Sequence, residues 1–190
     1  VEPSLSFEKR FSYSKLGVVT SATLQNEVYE GRSIMGYGYI DDNLLGNIGF
    51  AAGYYPSGVD YYKYRYSGIR LVANYVLKDR YVLNATASRD GSTRFSKSNR
   101  FGNFGSVAAA WIFGEEPFFK KALPFISLGK IRSSYGISGS DKIPPYGYLS
   151  SYAAQGVKYN GGLSLYPSQI GNEGYTWENS KKFEIALELG

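Results

Sequence analysis

The chain has 190 residues, with 21 Lys and Arg against 16 Asp and Glu, and a formal net charge of +5. It contains no Cys and no His. That excludes a disulfide scaffold, thiolate or imidazole metal sites, cysteine nucleophiles and Ser-His-Asp triads. The length allows one domain with a sizeable core, and the 43% apolar share argues against wholesale disorder. The mild positive charge suits an anionic membrane surface or an acidic ligand and does not demand nucleic acid.

The composition is that of a β protein, with 19 Tyr, 11 Phe and 23 Gly. Tyr favours strands and half-wet surfaces because its ring is apolar and its hydroxyl is not. The N-terminal Val1-Glu2-Pro3-Ser4 lacks the basic start and apolar run of a signal peptide, and it lacks an initiator Met. This reads as a chain processed or cut from something longer. The longest apolar run is Val107 to Phe113, whereas a spanning helix needs about 20 residues. A barrel strand needs only about 9–11 residues of alternating polarity, so strand insertion stays open.

Period-two alternation recurs along the chain. Leu5, Phe7 and Phe11 oppose Ser4, Ser6, Glu8 and Arg10. Ala22, Leu24 and Val28 oppose Ser21, Thr23, Gln25 and Glu27. Ile69, Leu71, Ala73 and Tyr75 oppose Arg70 and Asn74, and Tyr81, Leu83, Ala85 and Ala87 oppose Asn84, Thr86 and Ser88. Val107, Ala109 and Trp111 form the next row, then Ile131, Tyr135 and Ile137 against Lys130, Arg132 and Ser134. The last is Phe183, Ile185, Leu187 and Leu189 against Glu184 and Glu188. These make seven expected strands.

The expected connections alternate in length. Ser12–Leu16 and Leu77–Arg80 are short, and Arg89–Asn103 is intermediate, with Arg89-Asp90-Gly91 reading as a turn tip. Gly31–Tyr66 and Gly139–Trp177 are long. Gly114–Ser127 holds one expected helix, Glu115–Leu123, with Glu115-Glu116 as its charged start and lysines nearer its end. Short turns on one side and long loops on the other suit an outer-membrane barrel. A soluble sandwich also alternates polar and apolar rows, so parity alone leaves both architectures open.

The stretch Lys78-Asp79-Arg80-Tyr81, Arg89-Asp90-Gly91-Ser92-Thr93-Arg94-Phe95, Trp111, Glu115-Glu116-Pro117-Phe118 and Lys130-Ile131-Arg132-Ser133-Ser134-Tyr135-Gly136 resembles the barrel of SusC/RagA-type TonB-dependent outer-membrane receptors. Tyr175-Thr176-Trp177-Glu178 is similar to that family's lead into a late barrel strand. The resemblance covers Arg65 to Gly190, while the first 60 residues fit in rhythm. Gly105 stands where the family usually has proline, and the family's usual asparagine is replaced near Ser138-Gly139-Ser140-Asp141. The family's N-terminal plug and TonB-contacting segment have no counterpart here. Residues 1–190 are therefore expected to be part of a receptor β-barrel without a plug domain, about seven antiparallel strands of a larger barrel.

What the resemblance implies is a segment of an importer of large nutrients, oligosaccharides or peptides, in the outer membrane of a Gram-negative bacterium. It implies no enzyme activity, no cofactor and no resident metal. Its implied partners are a SusD-like surface lipoprotein, the rest of the barrel and plug, TonB through the N-terminal part, and outer-membrane lipid. Leu83, Ala85, Trp111, Ile185 and Leu187 would face lipid. Arg70, Asn84, Lys130, Arg132, Glu184 and Glu188 would face water or the plug. The long loops would lie outside the cell and present Tyr37, Tyr39, Tyr54, Tyr55, Tyr61, Tyr62, Tyr146, Tyr148 and Tyr152 as candidate ligand contacts, with Tyr159 and Tyr166 beside them. The alternative function is a soluble β-sandwich carbohydrate-binding or adhesin module. Trp111 and Trp177 read as membrane-interface anchors. Asp41-Asp42-Asn43 reads as a solvated loop rather than a calcium site.

Overall fold

A computed structural model describes the backbone of residues 1–190 and the side chains of all but 155–159 and 163. The alternating rows become β1 (Ser4–Arg10), β2 (Ser14–Tyr37), β3 (Gly53–Leu77), β4 (Tyr81–Ser92), β5 (Phe101–Trp111), β6 (Gly129–Ser140) and β9 (Glu178–Leu189). They form one seven-stranded sheet in the order β1-β2-β3-β4-β5-β6-β9. β7 (Ser151–Tyr159) and β8 (Gly162–Gln169) form a separate hairpin within the β6–β9 connection. The order leaves β1 and β9 as the two edges of the sheet.

Two units result. One comprises Val1–Gln25 with Arg65–Gly190, and the other comprises Asn26–Tyr64. In the first, register keeps each row on one face. Tyr75 pairs with Leu83, Leu83 with Ala109, Ala109 with Ser133 and Ser133 with Ile185. Asn74 pairs with Asn84, Asn84 with Ala108, Ala108 with Ser134 and Ser134 with Glu184. The first row belongs to an apolar face and the second to a polar face. A one-residue slip would exchange the two faces, so the pattern itself fixes the register.

Most of both faces of this unit is exposed; the apolar rows keep Leu83, Val107, Ile185 and Leu187 open to the surroundings. Among the described residues, the buried apolar side chains are Tyr64, Phe95 and Trp177. Among the described residues, the dry core of a soluble sandwich is therefore missing.

Three sequence expectations about connections are corrected. Gly31–Tyr66 is not a long loop, because β2 and β3 run on through it and only 38–52 connect them. Two short 3-10 turns, Asp42–Leu44 and Ile48–Phe50, fold that connection, with Asp41 and Asn47 accepting from the backbone N–H groups of Asn43 and Gly49. Arg89-Asp90-Gly91 is not a turn tip but the end of β4, paired with Asn103, Gly102 and Phe101. Asp90 is held there by Tyr66 Oη at 2.9 Å and Ser88 Oγ at 3.0 Å, so the Asp-Gly turn chemistry is overridden. The helix is shorter than Glu115–Leu123. A 3-10 turn spans Phe113–Glu115, and α1 spans Pro117–Ala122, begun by a proline whose missing N–H costs nothing there.

The β3–β4 turn is tight and lacks glycine. Lys78 and Asp79 both take left-handed backbone angles, with φ of 52° and 53°. The neighbouring turn braces it, since the Lys78 N–H donates to Tyr13 O at 2.7 Å and Lys15 meets Asp79 at 3.3 Å.

Candidate functional site

The polar face is a wall of paired groups. Thr86 and Ser106 share a hydrogen bond at 2.8 Å, and the Asn74 amide donates to Asn84. Arg132 Nε and Lys130 Nζ both reach Glu188, at 2.9 and 3.3 Å, and Lys182 meets Glu184 at 2.6 Å. Small inward residues hollow this wall into a depression of about 610 Å³ lined by Thr86, Ser88, Ser106 and Ser138, with Arg70 and Lys182 also on its lining. Such a surface keeps its charges wet or paired, which a hydrocarbon surround would not allow. The expected inward residues Arg70, Asn84, Lys130, Arg132, Glu184 and Glu188 thus share one face. Leu83, Ala85, Trp111, Ile185 and Leu187 share the other.

At the end of the sheet carrying the longer connections, a clasp joins the β4–β5 and β6–β9 connections. Phe95 is 0% exposed and meets the Trp177 ring at 5.2 Å. Trp177 is 7% exposed, takes Phe104 edge-on at 5.3 Å and donates Nε1 to Arg100 O at 3.2 Å. The Phe104 ring lies across Gly102 and Gly139, where a Cβ would collide with it. Ser92 Oγ donates to Asp141 Oδ2 at 2.7 Å and accepts from the Arg94 N–H at 3.2 Å, which satisfies a fully buried hydroxyl. Arg94 Nη1 donates to Asp141 O, and Ser96 and Asn99 donate to Glu173 O. Trp177 is therefore a packing residue of this clasp, which corrects the interface-anchor expectation for it. Trp111 stands on the apolar face, stacked on Tyr81 at 6.5 Å.

At the opposite end, Glu116 is only 8% exposed. Its carboxylate accepts from Tyr81 Oη at 2.7 Å, Trp111 Nε1 at 3.3 Å and Arg80 Nη1 at 2.9 Å. Glu116 does stand at the N-cap of α1, the expected charged start, but its carboxylate makes no cap bond to the helix and is committed to the sheet instead. Glu115 instead pairs with Lys120 at 2.5 Å. The Tyr81 hydroxyl above all, then the Trp111 indole and the Arg80 charge, hold the Glu116 carboxyl below the usual carboxylate range. This contribution to stability is complete above the ordinary glutamate range and is lost as pH falls through the lowered folded value. Acid titration followed by Trp111 emission is expected to show that loss, and Glu116→Gln is expected to remove the transition. A transition unchanged in Glu116→Gln would rule out this carboxylate as its source.

The nine candidate tyrosines divide between the two units, six in one and three in the other. Tyr37, Tyr54, Tyr55, Tyr61 and Tyr62 lie on strands rather than in a loop, and Tyr39 lies in the 38–52 connection. Tyr37 and Tyr55 approach at 6.2 Å, Tyr55 Oη reaches Met35 Sδ at 3.0 Å, and Tyr62 stacks on Tyr29 at 5.0 Å. All six belong to the Asn26–Tyr64 unit. Tyr146 and Tyr148 sit in the irregular segment after β6, and Tyr152 and Tyr166 sit on the β7–β8 hairpin. The Tyr159 side chain lies outside the described residues. Among the described residues, no three acidic side chains gather to hold a metal ion.

No protein-family model matches the chain. Curated relatives do. TonB-dependent receptor P39 of Formosa agariphila is 32% identical over 133 residues, covering 70% of this chain and 13% of the relative. TonB-dependent receptor P3 of the same organism is 37% identical over 120 residues, 61% of this chain and 12% of the relative. TonB-dependent receptor SusC of Bacteroides thetaiotaomicron is 35% identical over 123 residues, 62% of this chain and 12% of the relative. The solved structure of the RagAB peptide transporter superposes over 100% of this chain and 21% of its own, with a TM-score of 0.78 at 20% identity.

This chain is a SusC/RagA-type receptor segment.

The chain spans about an eighth of the length of those curated relatives. The transporter match shows the fold, an antiparallel barrel wall. Among the described residues, no helix is long and apolar enough to cross a membrane, which says nothing of SusC/RagA-type strands. Glu116 and Trp177 are the residues whose roles sequence reasoning missed, because their partners lie far along the chain.

Proposed function

We propose that residues 1–190 are all barrel wall of a TonB-dependent importer in the outer membrane of a Gram-negative bacterium. The observation that carries this is the two-faced sheet, in which β4, β5, β6 and β9 keep exposed apolar rows on one face and hydroxyls and ion pairs on the other. A lone sheet of this kind needs hydrocarbon on one side and water on the other. The edges β1 and β9 would pair with further strands of the barrel, and a plug would fill the polar side. The turns at Phe11–Tyr13 and Lys78–Arg80 would face the periplasm, and the clasp, the β7–β8 hairpin and residues 38–52 would face outside.

The cargo in this reading is an oligosaccharide or a peptide, captured together with a SusD-like lipoprotein at the outer end. Tyr37, Tyr39, Tyr54, Tyr55, Tyr61, Tyr62, Tyr146, Tyr148 and Tyr152 would offer aromatic faces to sugar rings or peptide side chains. The function is binding and transport, with no catalytic step assigned to these residues. The test is the mass and location of the native protein. Fractionated membranes probed with an antibody to this segment should show a heat-modifiable outer-membrane band far heavier than 21.0 kDa. A soluble band near that mass would overturn the reading and favour a free β module.

A further inference from the structure

The helix-bearing β5–β6 connection packs on the apolar face of the sheet. The Phe113 ring lies over Gly129, which shares its parity with Ile131, and leaves no room there for a Cβ. Phe113 also meets Trp111 edge-on at 5.8 Å and Phe119 at 4.8 Å. Glu116 takes the hydroxyl of Tyr81 and the indole N–H of Trp111, both on the apolar rows. Phe113, Phe119 and Glu116 thus seat the connection beside the face that the barrel reading gives to lipid.

Having docked there, the connection still leaves two rings uncovered. Phe118 is 62% exposed and Phe125 is 78% exposed. Lys120 and Lys121 lie between them in sequence. Lys120 pairs with Glu115, and Lys121 is exposed with no ion pair recorded among the described residues. The same face holds an almost wholly apolar depression of about 430 Å³, walled by Tyr75, Leu83, Trp111, Ile131 and Ile185 and floored by Ala109. Aromatic rings interleaved with lysines, continuous with a Tyr–Trp belt, are the chemistry of a membrane interface, where rings enter the acyl boundary and ammonium groups meet phosphates.

We propose that residues 113–128 form an interfacial anchor seated on an anionic phospholipid of the periplasmic leaflet. Phe118 and Phe125 enter the acyl boundary, Lys120 and Lys121 contact the headgroup phosphate, and one acyl chain lies in the depression between Leu83, Trp111 and Ile131. The proposal rests on the barrel reading above and adds to it a specific contact with one leaflet. The Glu116 contacts hold the anchor in place, which gives that buried carboxylate a purpose.

The test uses the full-length receptor, cleared of any other cysteines, one molecule per nanodisc of phosphatidylcholine with phosphatidylglycerol. Single spin labels are placed at Phe118→Cys and Phe125→Cys, with Leu83→Cys as the lipid reference and Asp79→Cys as the water reference. Collision with oxygen is compared with collision with a water-soluble nickel chelate. Labels at 118 and 125 are expected to shift toward oxygen, as at 83 and opposite to 79. If 83 reads lipid while 118 and 125 read water, or are shielded from both reagents, the anchor is overturned and the barrel stands. If 83 itself reads water, the barrel reading falls and the anchor with it. In a competition between the two lipids, Lys120→Gln with Lys121→Gln is expected to weaken the preference for phosphatidylglycerol by roughly five-fold per lysine. An unchanged preference would remove the phosphate contact.

Discussion

Replacing Phe95 with alanine is expected to cost about 3–5 kcal/mol, because it empties a fully enclosed aromatic site against Trp177. The loss falls on the clasp rather than evenly over the sheet. Without the Phe95 ring, Trp177 loses one of its two aromatic neighbours, and the side-chain hydrogen bonds of Ser96 and Asn99 to the Glu173 carbonyl lose their backing. Limited trypsin digestion of the folded receptor should therefore cut faster at Lys97 and Arg100, with a lowered midpoint of heat modifiability. Phe101→Ala is the control, since that ring is already half exposed on the apolar face. Equal digestion of Phe95→Ala and the parent would show that the clasp does not hold the loop.

Replacing Ala85 with arginine is expected to cost about 2–4 kcal/mol where the residue lies near the bilayer midplane. Ala85 pairs with Ala73 on one side and Val107 on the other, so the new charge would stand in an apolar row. Asn84→Arg, one residue away, should be close to neutral. Its row holds Asn74, Ala108 and Ser134, and a guanidinium there meets water and hydroxyls. The ratio of folded to unfolded receptor after refolding into vesicles reads both changes. Similar losses at 84 and 85 would mean that the two faces do not see different solvents.

The seven sheet strands were legible because each exposes one apolar row, and period two survives wherever the two faces meet different surroundings. That rule explains where the reading stopped short. Tyr54-Tyr55 and Tyr61-Tyr62 are doublets on β3, where neither side of the strand selects against tyrosine. The alternation disappears there, and a strand passes for a loop. Asp90-Gly91 carried a true turn signal, but Tyr66, 24 residues earlier, supplies the hydrogen bond that keeps Asp90 in the ladder. Glu116 and Trp177 were illegible for a similar reason. Their roles depend on Arg80 and Tyr81 and on Phe95, Phe104 and Arg100, which only the tertiary register brings to them. Chemistry set by neighbours distant in sequence leaves no periodicity to read.

The small hairpin inside the β6–β9 connection also bears on how quickly the sheet can assemble. Each described pairing up to β6 joins strands that follow one another in the chain, so little conformational freedom is surrendered at each step. Joining β9 to β6 is the slow step, since Asp141 to Trp177 must close first. The β7–β8 hairpin forms from local contacts and is sealed at its base, where the Gly171 N–H donates to Ser150 Oγ and the Gln169 amide donates to the carbonyls of Tyr146 and Leu149. Once made, it roughly halves the free chain to be closed, a saving in closure entropy of about 0.6 kcal/mol. An insertion within the hairpin tip should therefore barely alter the rate of assembly, whereas the same insertion between Gly171 and Tyr175 should slow it.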